Sequence, residues 1–344
     1  MKSFLHLLFI HYFSFSMKPQ IALVTGGYSG EAVVSYKSAD TIQLHIDPSI
    51  YDVYKIDIAK EGWFCELASG NRFPVNKADF TVVLEDQVLR FDAAFISLHG
   101  TPGEDGKLQG YFDLIGLPYT SCNAATSAIT FNKRYTVGVA AFSGIAVAPS
   151  VHLFRNEKWS ADAVAAQLEF PVFVKPNNGG SSIGMSKVAD PAKLEEAIYK
   201  AFKEDDQVLV EQMIAGREFT IGVFRSEGEI ITLPMTEILV SEGVDFFNFE
   251  AKYEGKSVEV TPAEASAKHF EKIAEAAKKI YSIFNCSGII RIDFIYHEAT
   301  DTPYMLEINT VPGQSAASIV PQQVKAYGWT LREFYGKLLK EILA

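Results

Sequence analysis

Short apolar runs of strand length alternate with segments of helical length along most of this chain, and that rhythm limits the folds open to it. Between residue 20 and about residue 121, runs at 21–24, 53–58 and 93–98 alternate with helix-like stretches such as 34–46 and 107–115. Such alternation predicts βαβ units and an α/β fold. A second α/β unit is expected from about 122 to 214, with helices over 133–142 and 191–202 and strands over 172–175, 183–188 and 208–211. From about 215 onward, strands at 218–224 and 230–233 lead to a polar and aromatic loop over 236–261. A helix over 262–284, two strands and a closing helix over 331–343 follow. Nothing repeats at a fixed period.

Size and charge narrow the class further. At about 150 residues per domain, 344 residues predict two or three domains, large enough to fold without disulfides or structural metal. The 31 basic and 42 acidic side chains leave a net charge of −11, the wrong sign for coating a polyanion, so nucleic acid is not expected as a partner. Cys65, Cys122 and Cys286 form no C-x-x-C pair; isolated, inert thiols in a reducing compartment are expected. Residues 1–16 are apolar with one early Lys, too short to span a bilayer. A charged start and an apolar core permit a signal peptide, but a strand-like run opens directly after Met17. We expect Met17 to be the working start and 1–16 a translation artefact or disordered tail.

The segment 289–309 carries the most chemistry. Residues 289–295 and 304–309 read as an antiparallel hairpin, and strand side chains alternate faces. Arg291, Asp293, Glu307 and Asn309 then share one face, while Ile290, Ile292, Phe294, Leu306 and Ile308 form an apolar underside. Two carboxylates and an amide oxygen suit Mg²⁺ rather than zinc, although a solvated face with a cross-strand ion pair would explain the same pattern. Gly313 and the hydroxyl-rich residues after it follow at once, where a backbone N–H beside Arg291 could stabilise an oxyanion; ordinary turn chemistry also accounts for them.

A second cluster, Val172 to Met185, ends a strand in Lys175 and continues into a glycine-rich turn suited to phosphate. It is not a P-loop, because Met185 stands where that motif needs Lys. Residues 180–184 match G-x-S-x-G, which raises a serine hydrolase, but a nucleophile elbow passes directly from strand to helix and this segment returns to strand. Residues 26–31 lack G-x-G-x-x-G spacing, which disfavours a dehydrogenase. Taken singly, Lys133, His99, Glu211 and Glu218 are equally compatible with solvated or structural side chains. The loop over 236–261, with Phe246, Phe247, Phe249 and Tyr253, is long enough to be a lid.

Six motifs in order, G-G-x-S-x-E (26–31), H-G-x-x-G-E-D-G (99–106), K-P-x-x-G-G-S-S-x-G (175–184), E-A-K-Y (250–253), R-I-D-F (291–294) and E-I-N-T-x-P-G (307–313), closely resemble the D-alanine–D-alanine ligases of the ATP-grasp superfamily. The resemblance spans 17–344. It implies three domains, at 17–121 (Rossmann-like), 122–214 and 215–344 (metal site and lid), and ATP-dependent joining of two D-alanines through an acyl phosphate for peptidoglycan. It also implies a cytoplasmic homodimer with no membrane or nucleic-acid partner.

Carried over by the resemblance, Lys133 and Lys175 would contact the nucleotide, and Ser181 and Ser182 would cover its phosphates. Glu211, Gln212, Ile214 and Glu218 would line the adenine hinge and ribose, with Lys252 also reaching the nucleotide. Asp293, Glu307 and Asn309 would hold two Mg²⁺ or Mn²⁺ ions. Glu31 would bind the ammonium of the first D-alanine, with His99 nearby, and Ser318 and Lys252 would bind the carboxylate of the second. Arg291 and the Gly313 N–H would stabilise the oxyanion, while Glu31, Ser181 and Tyr253 would close the lid. Ala32, Gln212 and Ala317 depart from residues common in the family. Tyr253 implies the dipeptide rather than D-alanyl-D-lactate. The alternatives are the depsipeptide or another carboxylate–amine ligase of the superfamily, and a nucleotide-binding relative without activity.

Overall fold

The computed structural model describes residues 18–85, 87–179, 183–240 and 257–344. It contains three sheets that follow one another along the chain. The first holds β1 (Gln20–Gly26), β2 (Asp52–Ala59), β3 (Gly62–Glu66), β4 (Arg72–Asn76), β5 (Thr81–Leu84), β6 (Gln87–Leu89) and β7 (Ala93–Ile96), ordered β6-β5-β4-β3-β2-β1-β7. β1 runs parallel to both β2 and β7. Helix α1 (Ala32–His45) joins β1 to β2, and α2 (Lys107–Ile115) follows β7. β1 is apolar over 21–24 because both its faces are covered there: Ile21 and Leu23 pack towards α1 and the C-terminal helix, Ala22 and Val24 towards α2 and the meander. The expected βαβ rhythm holds at β1, α1, β2 and β7. It fails over 62–89, where four short antiparallel strands are inserted; their three to five half-exposed residues are too few to carry a clear period.

Helices α3 (Ala124–Phe131) and α4 (Lys133–Phe142) lead to the second sheet. It holds β8 (Ser150–Phe154), β9 (Val172–Pro176), β10 (Ser186–Val188) and β11 (Gln207–Gln212), ordered β10-β9-β11-β8, with α5 (Ala161–Ala165) and α6 (Leu194–Phe202) against it. β9 pairs antiparallel with β10, so the chain returns to strand after the glycine-rich turn and does not enter a helix. That removes the geometry a nucleophile elbow needs. The expected strand over 183–188 is shorter, because Ile183 and Gly184 are in a turn.

The third sheet holds β12 (Arg217–Ser226), β13 (Glu229–Thr232), β14 (Thr236–Val240), β15 (Ser257–Val260), β16 (Ile290–His297) and β17 (Thr302–Asn309), with the path β15-β14-β12-β16-β17 and β13 beside β12. Both ends of the expected loop over 236–261 are therefore paired strands. α7 (Ala267–Ile283) begins five residues later than expected, because the Ser266 side chain caps it by accepting the His269 N–H. α8 (Ile319–Tyr327) and α9 (Leu331–Leu343) close the chain, the latter started by a Thr330–Glu333 capping box.

The cysteines are free and buried but not isolated: Cys122 and Cys286 share one core cluster. A hydrogen bond to Cys122, followed by burial, pushes the Cys286 thiol up, which keeps it protonated and inert.

Candidate active site

β16 and β17 pair with Arg291 opposite Asn309 and Asp293 opposite Glu307, so the four polar side chains meet on one face. A bulge at Asp293/Phe294 shifts the register, and Phe294 lies opposite Met305. This corrects the expected underside: Met305 and Ile308 enter the core, while Leu306 is displaced towards the polar side and lines the cleft.

Asp293 is the hub of that face. Arg291 donates to both of its oxygens, Nε to Oδ1 at 2.9 Å and Nη2 to Oδ2 at 2.9 Å. Asn309 donates at 3.3 Å, and the Thr220 hydroxyl from β12 also donates. Burial alone would weaken the Arg291 cation; Asp293, Glu307 and Glu104 outweigh it and drive its pKa up.

Arg291, Glu307 and Asn309 of this face form one wall of a cleft of about 670 Å³ of atom-free space, part of it open to solvent. Its lining includes Arg291, Glu307 and Asn309 from the third sheet, Lys133 and Gly179 from the central segment, and Glu31 and Glu104 from the N-terminal segment. Glu31 precedes α1 at the C-terminal edge of β1, where open α/β sheets place ligands. It approaches Gly100 so closely that a Cβ there would lie 2.6 Å from Oε2.

Glu104 is the residue sequence reasoning missed. It stands inside the H-G-x-x-G-E-D-G motif, whose acidic position was the available signal. Its Oε2 accepts the Gly100 N–H at 2.6 Å. Burial, then the charge of Glu31, push its carboxyl up to about 8, against the pull of the Gly100 amide and Arg291.

His99 is buried, its Nε2 3.3 Å from Ser38 Oγ and its ring also bonded to the Val311 main chain. Burial and the nearby Arg291 push the imidazole down to about 4, so it is neutral at pH 7. Gly313 and Ser318 are in contact across their turn, since a Cβ on Gly313 would lie 2.8 Å from Ser318 Oγ.

Lys133 opens α4 and its Nζ donates to the Gly179 carbonyl at 2.6 Å, which ties it to the start of the glycine-rich turn. Lys175 and Glu211, on neighbouring strands β9 and β11, form a buried ion pair at 2.5 Å. The Gln212 side chain turns away from that pair and bonds Glu169, 3.3 Å from Oε2. Ile214 is half-buried just beyond β11, and Glu218 is half-buried on β12. Ser181, Ser182, Lys252 and Tyr253, with the proposed triad they complete, lie outside the described residues, as do residues 1–16.

The donor set fits a hard divalent cation: oxygen ligands from Asp293, Glu307 and Asn309, with no thiolate or imidazole among them. Among the described residues no group of three or more Cys, His, Asp or Glu is placed so as to hold a metal ion by itself. Mg²⁺ does not require one, because it completes its shell with water and substrate phosphate.

Comparison with known proteins bears on the family and the fold. The family described as D-ala D-ala ligase N-terminus matches residues 20–122, and D-ala D-ala ligase C-terminus matches 139–342. A D-alanine--D-alanine ligase of Parabacteroides distasonis is 42% identical over 95% of this chain and 98% of its own length. One from Flavobacterium johnsoniae is 42% identical over 94% and 99%. Among solved structures, the VanG D-Ala:D-Ser ligase of Enterococcus faecalis superposes with a TM-score of 0.86 at 32% identity, covering 95% of this chain and all of that one. D-alanyl-alanine synthetase A of Vibrio cholerae gives a TM-score of 0.84 at 29% identity, over 95% and 98%. On these matches, made over nearly the whole length, the chain belongs to the D-alanine–D-alanine ligase family and has its ATP-grasp fold.

Proposed function

We propose that this chain joins two D-alanines to D-alanyl-D-alanine with conversion of ATP to ADP, through an acyl phosphate, for peptidoglycan precursor synthesis. The observation that carries the reading is the single cleft lined by Glu31, Lys133, Arg291, Glu307 and Asn309, with Asp293 bonded to its wall. A carboxylate that attacks a triphosphate meets like charges at roughly 4 kcal/mol per pair at 4 Å and an effective dielectric of 20. Cations must offset that repulsion. Mg²⁺ or Mn²⁺, two ions in our reading, would be held by Asp293, Glu307 and Asn309 and would supply phosphate charge neutralisation.

The chain's own residues do the rest. Glu31 receives the ammonium of the first D-alanine, and neutral His99 walls its pocket. Arg291 and the Gly313 N–H face the oxyanion that forms when the second amine attacks. Ser318 and Lys252 hold the carboxylate of the second D-alanine. Lys133, Lys175, Ser181, Ser182, Glu211, Gln212, Ile214, Glu218 and Lys252 receive ATP, and Tyr253 with Glu31 and Ser181 closes the lid that excludes water. The domains run 17–121, 122–214 and 215–344, a division supported by one sheet falling within each range. We read the assembly as a homodimer in the cytoplasm; Val33 and Leu44 on α1, 60% and 74% exposed, are apolar surface that a second copy would cover. No described helix is long and apolar enough to cross a membrane.

The test is ADP release with Mg-ATP and a panel of D- and L-amino acids and D-lactate, with the products identified by mass. D-serine belongs in the panel because one solved relative is titled a D-Ala:D-Ser ligase. D-alanine alone supporting turnover is expected; a preference for D-lactate or D-serine as acceptor at neutral pH rejects the dipeptide.

A further inference from the structure

Helix α1 turns an unusual face to the interior. Glu31 at its N-cap, Ser35 and Ser38 follow at i, i+4 and i+7 and so lie along one side. Both serines are completely buried, which is unfavourable unless their hydroxyls are bonded. Ser35 Oγ accepts the His99 main-chain N–H at 2.9 Å. Ser38 Oγ lies 3.3 Å from His99 Nε2 and accepts the Gln314 N–H at 3.0 Å, across 276 residues of sequence.

One proton assignment satisfies every group in this chain of bonds. The Gln314 amide donates to Ser38, the Ser38 hydroxyl donates to His99 Nε2, and the neutral ring gives its one N–H to the Val311 carbonyl. The Gln314 side chain is held in turn, its Nε2 on the Pro312 carbonyl at 3.2 Å and its Oε1 accepting from Tyr335 at 3.3 Å. The peptide fixed by Ser38 adjoins Gly313, and the Gly313 Cα lies against Ser318.

We infer that Ser38 is a positioning residue for the ligation: its hydroxyl ties the His99 wall of the first-substrate pocket to the Gly313–Gln314 peptide of the opposite segment. Ser38 touches no reacting atom. It sets the distance between the group that receives the first D-alanine and the turn that faces the oxyanion and second D-alanine, and this assignment rests on the proposed D-alanine reading. Small misplacements of such groups are expensive: about 1 Å costs up to roughly a hundredfold in rate.

The experiment uses the full-length chain and compares Ser38→Ala, Ser38→Thr, His99→Ala and the Ser38→Ala/His99→Ala double variant by steady-state dipeptide formation. Ser38→Ala is expected to lower kcat about 10- to 100-fold with the KM for ATP unchanged. Ser38→Thr, which keeps the hydroxyl, is expected to recover most of that loss. The double variant is expected to be no worse than about threefold below the poorer single one, because both break the same chain of bonds. Wild-type kcat and KM in Ser38→Ala, with only the melting temperature lowered, overturn the inference. Independent multiplication of the two single losses does so as well. If Ser38→Ala does not fold, Ser38→Thr decides: turnover within a few fold of wild type supports the inference, and a folded Ser38→Thr without turnover overturns it. A wild-type chain that forms no dipeptide overturns the D-alanine reading itself, whereas an active wild type with an unaffected Ser38→Ala overturns only the role of Ser38.

Discussion

Arg291 and Asp293 sit two residues apart on one strand and face each other, the guanidinium fork closed on both carboxylate oxygens at 2.9 Å. The strand period puts them on one side, and the bonds from Thr220 and Asn309 leave Asp293 nowhere else to turn. One arginine thus orients the central carboxylate of the polar face while it is itself held in the cleft.

That fork predicts a specific cost for Arg291→Lys. The charge remains, but the two parallel bonds and the planar donor edge are lost. kcat should fall about 100- to 1000-fold, a loss typical of removing one oxyanion donor. Dipeptide formation under saturating ATP checks this; a loss below threefold would contradict it.

The Lys175–Glu211 pair is buried, with side-chain exposures of 14% and 5%. Glu211→Gln strands an ammonium, and such breaks cost about 3–5 kcal/mol when the charge has no other outlet. Urea unfolding should record a loss near the low end of that range, together with a raised KM for ATP. Glu169→Gln, at the exposed contact with Gln212, should change stability by less than about 0.5 kcal/mol.

Trp63 Nε1 donates to the Tyr28 hydroxyl at 3.0 Å, latching the loop that carries Glu31 to the inserted meander. Trp63→Phe keeps most of the packing and removes the bond, worth about 0.5–1.5 kcal/mol. The KM for D-alanine should rise roughly two- to tenfold by that figure, with the KM for ATP constant. Equal changes in both constants would argue against the latch.

His99 and Glu104 give opposite pH dependences of stability. His99 stays neutral in the folded chain down to about 4, so the unfolded state takes up the proton first and stability is lost as pH falls from about 6.5 towards 4. Glu104 holds its proton up to about 8, so its contribution is complete below about 4.5 and is lost as pH rises through 8. In metal-free protein, His99→Gln should flatten the acid side by an amount on the order of 3 kcal/mol, and Glu104→Gln should gain on wild type as pH rises from 5 to 8. Urea midpoints across that range test both signs; parallel curves for wild type and both variants would refute them.

The polar face of the hairpin was legible because it depends on short-range spacing. The alternation of Arg291, Asp293, Glu307 and Asn309 needed only the strand period, and the register confirms their common face. Leu306 was misplaced because a bulge is one extra residue, which alternation has no means to signal. The 62–89 strands and the pairing at either end of the 236–261 segment were missed for a related reason: each strand is short and gains its stability from its neighbours, not from its own pattern.

By itself, then, the chain's order of residues determined the α/β class, the last helix that Thr330 caps at its start, and which four polar groups on the β16–β17 hairpin share a face, because each depends on neighbours within a few positions. Tertiary structure alone decided that Glu104 would stand beside Glu31 as a protonated acid, that Cys122 would meet Cys286, and that Ser38 would bridge His99 and Gln314. Those outcomes depend on burial and on contacts between segments far apart in the chain, and neither exists until the sheets have packed.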